Sequence, residues 1–423
     1  MVKKFKFCAL LTVACLSLTV VANAGTGFSS AASIKVKPLW SMKSLASTSV
    51  PSGYSPAQIK KAYGFGVGSA TGKGKTIAII AAYGDPNLQS DLQTFNSQFG
   101  LSSANLTIKS MGATNSDAGW ALEEAMDVEW AHALAPDANI LVVNAASDDS
   151  SNLLAAVDYA VNAKADVVSM SWGNDESYGT TQYDSHFTSG SAVFIAAAGD
   201  DKAGAIWPAS SPNVISVGGT SLKLDASGSV LSETAWYSSG GGVSQVESEP
   251  SWQSNFGINS TYRRVSPDVS FDADMNTGAS VYCSIVQDKR GSAGWFTVGG
   301  TSLGSPCWAA IVADMNQNVT SVKNAGALYA LAGGTGYTNT ANCFSDITSG
   351  SNGYSAQTGY DAVTGLGSPQ VANLVAQASA NASSLSKITN TTAITRPVGV
   401  SGPRRIRNPW GRYPIGGWFG GRR

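Results

Sequence analysis

The sequence has little charge and almost no histidine. Only 13% of its 423 residues are charged, and the two histidines are His132 and His186. We expect no nucleic-acid partner for this chain. The scarcity of imidazole also makes carboxylates the better candidates for any base.

Cysteine is scarce as well, and long apolar runs are few. None of the five cysteines has Cys-x-x-Cys spacing, which argues against a metal site built from them. An apolar run over residues 7–21 follows three lysines and precedes Ala-Asn-Ala at residues 22–24. This arrangement predicts a signal peptide over residues 1–24 and a secreted protein, because the run is too short to prefer spanning a membrane.

The mature chain would keep an odd number of cysteines. Removal of the signal peptide leaves Cys283, Cys307 and Cys343, all in the second half of the chain. Three cysteines in an exported protein allow at most one internal pair and one leftover thiol. The sequence does not say which two would pair.

Charge is unevenly distributed along the chain. All 28 acidic residues lie between residues 51 and 378, where 13 basic residues accompany them, so this span has a net charge of −15. Its carboxylates have too few cations to pair with, and acid would neutralise many of them. The composition therefore suits work at low pH.

Two distant segments combine a serine with carboxylates. Residues 122–127 read Leu-Glu-Glu-Ala-Met-Asp in an alanine-rich stretch, and residues 299–306 read Gly-Gly-Thr-Ser-Leu-Gly-Ser-Pro before an apolar helical stretch. Glu123 and Asp127 stand four residues apart, on one helix face, close enough to share a proton. Ser302 is predicted at a helix N-terminus, where developing negative charge is stabilised. The pattern indicates a serine nucleophile served by a carboxylate base.

Neither histidine fits this pattern. His132 follows the glutamate by nine residues, which at about 100° per residue places it roughly 180° away around the helix. His186 lies in a polar stretch with no motif around it, which is typical of a solvated histidine. Asp85 precedes Pro86 at the start of a predicted helix, and we interpret it as an N-cap.

These segments resemble the catalytic motifs of the sedolisins, the serine-carboxyl peptidase family, whose fold is that of subtilisin. Residues 196–200, Ala-Ala-Ala-Gly-Asp, resemble the strand that carries the family's oxyanion aspartate. Residues 169–173, Ser-Met-Ser-Trp-Gly, resemble the strand that pairs with substrate backbone, and residues 345–348 and 359–367 resemble the family's calcium loop. The resemblance extends from about residue 55 to about residue 378.

The resemblance implies a secreted, acid-acting endopeptidase that cleaves protein or peptide substrates through an acyl-enzyme on Ser302. Glu123 and Asp127 would form the base system, and Asp200 would stabilise the oxyanion as a protonated donor. The predicted substrate-binding residues are Ser171, Trp172 and Gly173.

The resemblance also implies one structural calcium ion. Asp346 and Asp361 would supply charge, and backbone carbonyls would complete the oxygen cage. These carbonyls belong to Ile347, Gln357 and Gly359. The family commonly has glycine where Gln357 stands, and a carbonyl ligand survives that change if the turn still forms.

The motif around Ser302 is repeated elsewhere in the chain. Residues 217–222 and residues 298–303 both read Val-Gly-Gly-Thr-Ser-Leu. Ser221 leads into a strand-and-turn pattern, whereas Ser302 leads through Pro306 into the pattern of a buried helix. We therefore interpret Ser221 as a structural residue near the end of a strand.

The chain divides into four predicted regions. After the signal peptide, residues 25–52 form a short linker or an abbreviated pro-segment, whereas members of the resembled family usually carry a much longer pro-region. Residues 53–378 form the peptidase domain. Residues 379–423 form a flexible, solvated, basic tail rich in Trp and Gly, and the functional alternative is an arm that contacts an anionic surface or cell envelope. We expect a monomer without a membrane span.

Apolar strands alternate with helices through the peptidase domain. This alternation predicts an α/β fold in a single catalytic domain, with a mostly parallel sheet and helices on both faces, in agreement with the subtilisin-like fold that the resemblance implies. The predicted strands cover residues 76–82, 140–145, 167–171, 193–198 and 214–217. The predicted helices cover residues 88–99, 118–134, 152–163 and 305–317.

Two alternatives remain open. A subtilisin-type peptidase would use Asp85, His132 and Ser302, which follow that family's chain order. The helix-face argument weighs against it, as does the lack of an oxyanion Asn, and a pH profile separates an imidazole base from a carboxylate. The second alternative is a catalytically inactive secreted binding protein on the same scaffold, in which the C-terminal tail would bind the partner.

Overall fold

Strands and helices alternate along the computed structural model, which describes residues 34–42, 49–66, 70–188, 190–258, 262–286 and 294–390. The strands are β1 (Lys37–Pro38), β2 (Ser41–Met42), β3 (Thr76–Ala82), β4 (Asn105–Ser110), β5 (Asn139–Ala145), β6 (Val167–Met170), β7 (Trp172–Asp175), β8 (Val193–Ala197), β9 (Ile206–Trp207), β10 (Val214–Leu224), β11 (Val230–Ala235), β12 (Gly242–Ser248), β13 (Arg263–Ser266), β14 (Val269–Asp272), β15 (Ala279–Cys283), β16 (Gly294–Gly299), β17 (Phe344–Ser345) and β18 (Ser368–Pro369). The helices are α1 (Pro56–Tyr63), α2 (Leu88–Phe99), α3 (Ala118–Leu134), α4 (Ser150–Asn162), α5 (Ser251–Phe256), α6 (Thr301–Met315), α7 (Ala325–Ala332), α8 (Val371–Ala380) and α9 (Ala382–Leu385), with a 3₁₀ helix at Thr180–Phe187.

The largest sheet has eight strands and is mostly parallel. Its order is β11-β10-β8-β6-β3-β5-β4, and β14 also pairs with β10. The pairs along this order are parallel from β10 to β4, and β14 joins β10 in parallel, whereas β11 runs antiparallel to β10. Helices α2, α3 and α4 connect β3, β4, β5 and β6 in chain order and provide the crossovers that parallel pairing requires.

Apolar side chains cover both faces of this sheet. In β3, Ile77 and Ile79 join the core cluster that contains residues of α3 and α6, whereas Ala78 and Ile80 join the cluster that contains residues of α4. Successive side chains of a strand point to opposite faces, so this division places helices on both sides of the sheet. The predicted fold class is confirmed.

The predicted bounds of β3, α2 and α3 agree with the structure, four other elements differ by one or two residues at an end, and α6 and β10 differ by more. Helix α6 begins at Thr301 rather than Ser305, so Pro306 lies inside the helix, where it leaves one main-chain carbonyl without its usual donor. Strand β10 is longer than predicted and contains Ser221, whose hydroxyl donates to Asp274 Oδ2 at 2.7 Å. Ser221 therefore lies near the end of a strand, as predicted.

The interpretation of Asp85 as a helix N-cap is wrong. Asn87 is the N-cap residue of α2, and Asp85 lies two residues before it. The Asp85 Oδ1 atom accepts the backbone N–H of Asn87 at 2.7 Å. The aspartate therefore stabilises the turn that enters the helix rather than the first turn itself.

The two ends of the chain are only partly described. The predicted signal peptide and residues 391–423 of the predicted tail lie outside the described residues. Among the described residues no helix combines the length and the apolar character needed to span a bilayer. Cys283, Cys307 and Cys343 are buried free thiols.

Candidate active site

Helix α3 carries ionisable side chains into the protein interior. Every residue of the helix from Trp120 to Leu134 is buried, so the helix is enclosed by protein on every side. Its acids therefore form no solvated face, the usual role of charged residues on a helix. Five ionisable residues are at most 1% exposed: Glu123, Glu124, Asp127, Glu129 and His132.

Glu123 and Asp127 form a carboxyl pair. Burial raises the pKa of both groups, and the nearby Asp127 carboxylate raises the pKa of Glu123 further. Glu123 Oε1 and Asp127 Oδ2 have no donor other than each other among the described residues. A single proton held between the two carboxyls satisfies both oxygens.

Ser302 lies directly beside this pair, in the first turn of α6. Its hydroxyl donates to Glu123 Oε2 at 3.1 Å, and the carbonyl oxygen of Ser171 is also 3.1 Å away. The preceding Gly300 has φ 104°, and a Cβ there would come within 2.6 Å of Asp200 Oδ2. Only glycine allows the chain to turn this closely into the helix.

Ser171 connects the serine to the second carboxyl. Its hydroxyl lies 2.8 Å from Asp127 Oδ1 and 3.2 Å from the carbonyl oxygen of Ser302. That carbonyl has no helical donor four residues later, because Pro306 has no N–H. Pro306 thus leaves the Ser302 carbonyl without a helical hydrogen bond, and the hydroxyl of Ser171 donates to this carbonyl instead.

Asp200 lies on the other side of Ser302, just after β8. Its Oδ1 accepts the backbone N–H and the hydroxyl of Thr301, both at 2.8 Å. Its Oδ2 is buried without a partner among the described residues. Burial raises the pKa of Asp200 to about 7, although the two bonds from Thr301 oppose this shift. In acid the carboxyl is neutral, and its O–H can act as a donor.

The predicted substrate-binding residues form the edge of the cleft. Strand β7 begins at Trp172, but its side chain is fully buried and donates from Nε1 to Ile80 O at 3.0 Å. Ser171 and Gly173 contribute backbone to the edge, since Ser171 O accepts an N–H from Leu39 and Gly173 pairs with Lys37.

A segment of the predicted linker lies along that edge, and the sequence did not predict this position. Residues 34–42 lie within the predicted linker, yet Leu39 is 2% and Val36 4% exposed. The backbone N–H of Ser302 donates to Leu39 O at 3.0 Å. One sequence feature did indicate burial. This segment has apolar residues between its lysines, and a solvated linker has no need of apolar side chains.

The residues of the subtilisin-type alternative are not brought together. His132 Nε2 lies 2.8 Å from the carbonyl oxygen of Ser102, and burial lowers the pKa of the imidazole. Asp85 instead lies in a group with Asp91 and Cys283, and burial raises the pKa of Asp85 to about 6. The hydroxyl of Ser302 meets a carboxyl and not an imidazole. This arrangement favours the carboxylate base.

His186 also lies apart from the cleft residues. Its Nδ1 atom lies 2.8 Å from Asp158 Oδ1, and both side chains are partly exposed. This agrees with its interpretation as a solvated histidine.

The loop predicted to bind calcium brings Asp346 and Asp361 near one another. Burial raises the pKa of Asp361 to about 6, and it also raises the pKa of Asp346. Both carboxylates raise the pKa of the neighbouring Tyr337 hydroxyl, after burial itself. Neither carboxylate belongs to an ion pair with a Lys or Arg among the described residues.

Backbone groups surround these two carboxylates. Asp346 Oδ2 accepts the N–H of Gly359 at 2.9 Å, and Asp361 Oδ2 accepts the N–H of Gln357 at 3.1 Å. The carbonyl oxygens of Ile347, Gln357 and Gly359 have no donor among the described residues. Carboxylates without a Lys or Arg partner, and carbonyl oxygens without a hydrogen-bond donor among the described residues, are the kind of oxygen ligands that a hard cation such as Ca²⁺ binds.

The chain is similar to known peptidases. It matches the model of the subtilase family, Peptidase_S8, over residues 110–331. It is 30% identical over 378 residues to sedolisin of Pseudomonas sp. (strain 101), a match that covers 78% of this chain and 62% of that relative. It is 34% identical over 365 residues to kumamolisin of Bacillus sp. (strain MN-32), covering 76% of this chain and 63% of the relative. The chain thus spans less than two thirds of the length of either relative.

A solved structure is also similar. The structure of Pseudomonas sedolisin, a serine-carboxyl proteinase in complex with two molecules of pseudo-iodotyrostatin, has a TM-score of 0.68 and 30% sequence identity to this chain. The alignment covers 79% of this chain and 100% of that one.

Proposed function

The chain belongs to the subtilase family and, within it, to the sedolisins, and from that premise we propose that it is a serine-carboxyl peptidase. The observation that carries the proposal is the 3.1 Å hydrogen bond from the Ser302 hydroxyl to Glu123 Oε2 in a fully buried carboxyl pair. A serine hydroxyl donating to a carboxyl of raised pKa has the geometry of a nucleophile with its base.

In this mechanism the Ser302 oxygen attacks the substrate carbonyl while Glu123 takes the hydroxyl proton. Asp127 holds the Glu123 carboxyl in place, and the hydroxyl of Ser171 orients Asp127. The backbone N–H of Ser302 and the protonated Asp200 donate hydrogen bonds to the oxyanion. The proton on Glu123 then passes to the leaving amine, and water hydrolyses the acyl-enzyme.

The proposed activity is confined to acid. Asp200 acts as a donor only when protonated, and its pKa of about 7 sets an upper limit for that state. The carboxyl pair must meanwhile hold one proton rather than none, and its raised pKa keeps that state populated above the usual range of carboxyls. Activity should therefore fall as pH rises past neutral.

The cleft suits cleavage within a polypeptide. Ser171 and Gly173 offer backbone groups to an extended chain, and Trp172 supports them from the core through its bond to Ile80. A protein or peptide substrate would add an antiparallel strand at this edge. Because residues 34–42 already pass along the edge and continue past Ser302, we infer endopeptidase action.

One structural calcium ion is proposed for the loop. Asp346, Asp361 and the carbonyls of Ile347, Gln357 and Gly359 would hold it. When bound, the ion would supply positive charge that offsets repulsion between the two carboxylates and fixes the surrounding backbone.

The remaining proposals concern regions that are described only in part. We propose secretion through a signal peptide over residues 1–24, a peptidase domain over residues 53–378, and a basic tail over residues 379–423 that contacts an anionic envelope. A monomer without a nucleic-acid partner is proposed as the working form.

Digestion of casein by the purified secreted protein, at acidic and at alkaline pH, tests the function. Acid-limited digestion that disappears in Ser302→Ala is the expected result. Activity that rises toward alkaline pH would instead support an imidazole base, and no digestion at any pH would support an inactive binding protein.

A further inference from the structure

Three buried side chains that have no part in the proposed catalysis meet beside α3. Asp85 lies between β3 and α2, Asp91 lies in α2, and Cys283 ends β15. A carboxylate oxygen of each aspartate and the Cys283 Sγ atom all lie within 4.8 Å of one another. None of the three residues is more than 5% exposed. Two carboxyls and a thiol are therefore gathered in the interior, where water does not solvate their charges.

One oxygen of this group has no hydrogen-bond partner. Asp85 Oδ1 accepts the backbone N–H of Asn87 at 2.7 Å, whereas Asp85 Oδ2 is buried and has no partner among the described residues. Burial, followed by the charge of Asp91, raises the pKa of Asp85 to about 6. Burial raises the pKa of the Cys283 thiol to about 12, and the charges of Asp85 and Asp91 add to this shift. The three groups thus face one another, and Asp85 Oδ2 is available to a ligand.

A second set of hydrogen bonds holds the two carboxyls in place. Ser284 donates its backbone N–H to Asp91 Oδ2 at 2.7 Å, and its hydroxyl donates to the same oxygen at 2.9 Å. Asn87 donates from Nδ2 to Ser284 Oγ at 2.9 Å, so it connects Ser284 to Asp85. Carboxylates that bind metals are oriented by outer hydrogen bonds of this kind.

Two acids of α3 anchor the segments that carry these residues. Glu124 Oε2 accepts the backbone N–H of Asp85 at 2.9 Å, and Glu129 Oε2 accepts the backbone N–H of Tyr282 at 3.1 Å. The charges of Asp91 and Asp85 raise the pKa of Glu129, after burial itself. None of these acids belongs to an ion pair with a Lys or Arg among the described residues. Buried carboxyls without a basic partner stay neutral or bind a metal ion.

We propose that Asp85, Asp91 and Cys283 bind one zinc ion. Zinc takes thiolate sulfur at about 2.3 Å and carboxylate oxygen at about 2.0 Å in a tetrahedron, so its ligand atoms stand about 3.3–3.5 Å apart. From the observed limit of 4.8 Å, an approach of at most about 1.5 Å completes the site. The metal displaces the thiol proton on binding, and a water molecule would fill the fourth position. A thiolate ligand favours zinc over Ca²⁺ and Mg²⁺.

The proposed ion would join the loop after β3, helix α2 and strand β15 around α3. It needs only one cysteine, so the lack of Cys-x-x-Cys spacing in the sequence is compatible with it. The site shares no residue with the proposed catalytic group or with the loop that contains Asp346 and Asp361. Its tests therefore do not depend on peptidase activity.

The first test uses Co²⁺, which accepts the same ligands as zinc and gives a thiolate-to-metal absorption band when a cysteine binds it. Titration of the purified protein at neutral pH, with excess Ca²⁺ to occupy the proposed calcium loop, should give this band with an end point at one equivalent. Cys283→Ala should abolish the band, whereas the matched control Cys343→Ala, at another buried thiol, should keep it. No band in the parent protein, or an equal band in Cys283→Ala, would overturn the proposal.

The second test measures zinc itself, again with excess Ca²⁺. Free zinc at about 100 times its Kd should raise the thermal midpoint by roughly 4 °C. Competition with a chromophoric chelator should show a Kd about 10-fold weaker in Ser284→Ala, which loses an outer hydrogen bond. Asp91→Asn should weaken binding further because it removes a ligand, and Asp225→Ala, at an exposed turn, should match the parent. Zinc affinity equal to that of the parent in both Ser284→Ala and Asp91→Asn would place the ion elsewhere and overturn the proposal.

Discussion

Two regions of the molecule gather carboxyl groups without a basic partner among the described ion pairs, and they differ in what surrounds those groups. Glu123 and Asp127 lie inside the protein, close to each other, and each accepts a hydrogen bond from a serine hydroxyl. Asp346 and Asp361 lie in a loop, bonded to backbone N–H groups and near carbonyl oxygens that have no donor among the described residues. In the proposed function, a proton completes the first arrangement and a calcium ion completes the second.

A third arrangement in the same chain shows what the other two avoid. Arg264 and Asp268 form a buried ion pair at 2.5 Å. Such a pair places a permanent positive charge directly beside the carboxylate. Neither proposed site has such an arginine among the described ion pairs, so the proposed catalytic carboxyls can exchange a proton and the loop carboxylates remain available to the proposed cation.

The largest effect should come from substitutions in the proposed serine nucleophile and its carboxyl pair. Glu123→Gln, Asp127→Asn and Ser302→Ala should each lower kcat by about 1,000-fold or more, and double variants should lose little further because the residues act as one unit. Casein or peptide turnover in acid measures this, with the thermal midpoint as the control for folding. Near wild-type turnover in Glu123→Gln would contradict a carboxylate mechanism.

Removal of the loop cation should have the next largest effect. Chelator should lower the thermal midpoint by roughly 5 °C, because the ion binds only the folded state, and added calcium should restore it. Asp361→Ala should melt like the chelated protein and no longer respond to chelator. Asp225→Ala, at an exposed turn, is the matched control and should keep the response. An unchanged midpoint in the parent protein would exclude a metal at this loop.

A smaller effect, on thermal stability alone, is expected at Asp314. This carboxyl is buried but has no proposed catalytic role. Burial raises the pKa of Asp314 to about 7. Its neutral form is compatible with folding at acidic pH, and stability is lost as pH rises from the unfolded value near 4 through about 7. Asp314→Asn should therefore match the parent in acid and melt a few degrees higher above neutral pH, measured with calcium present. Equal midpoints above neutral pH would show that this burial has no cost.

The smallest effect on activity is expected for His132→Gln. The imidazole is buried and bonded to Ser102 O, away from Ser302. Turnover in acid should stay within about twofold of the parent, because no catalytic proton passes through this side chain. A loss comparable to that of Glu123→Gln would make the imidazole part of the mechanism and break the contrast between the two regions.

Local patterns predicted much of this architecture. The apolar periodicity of α3 and the Gly-Thr-Ser turn are short-range features, so the sequence alone placed Glu123, Asp127 and Ser302 on the correct elements. The contact between them spans 179 residues and rests, at the level of sequence, on the family resemblance.

The position of residues 34–42 could not be predicted in the same way. Leu39 is held by backbone groups of Ser171 and Ser302, and backbone pairing leaves almost no trace in side-chain identity. The segment was therefore interpreted from its composition, which is that of a linker. Likewise, the complete burial of Glu124 and Glu129 depends on the packing around α3, whereas isolated acids on a helix usually indicate a solvated face.

The buried acids of α3 should also affect the enthalpy of unfolding measured by calorimetry. In the folded protein they hold protons at a pH where the unfolded chain would give them up, because burial raises the pKa of each. Unfolding near neutral pH must then release protons into the solution, and a buffer that absorbs them contributes its own ionisation enthalpy. The calorimetric enthalpy of unfolding should thus differ between buffers of high and low ionisation heat at neutral pH, and become the same in strong acid.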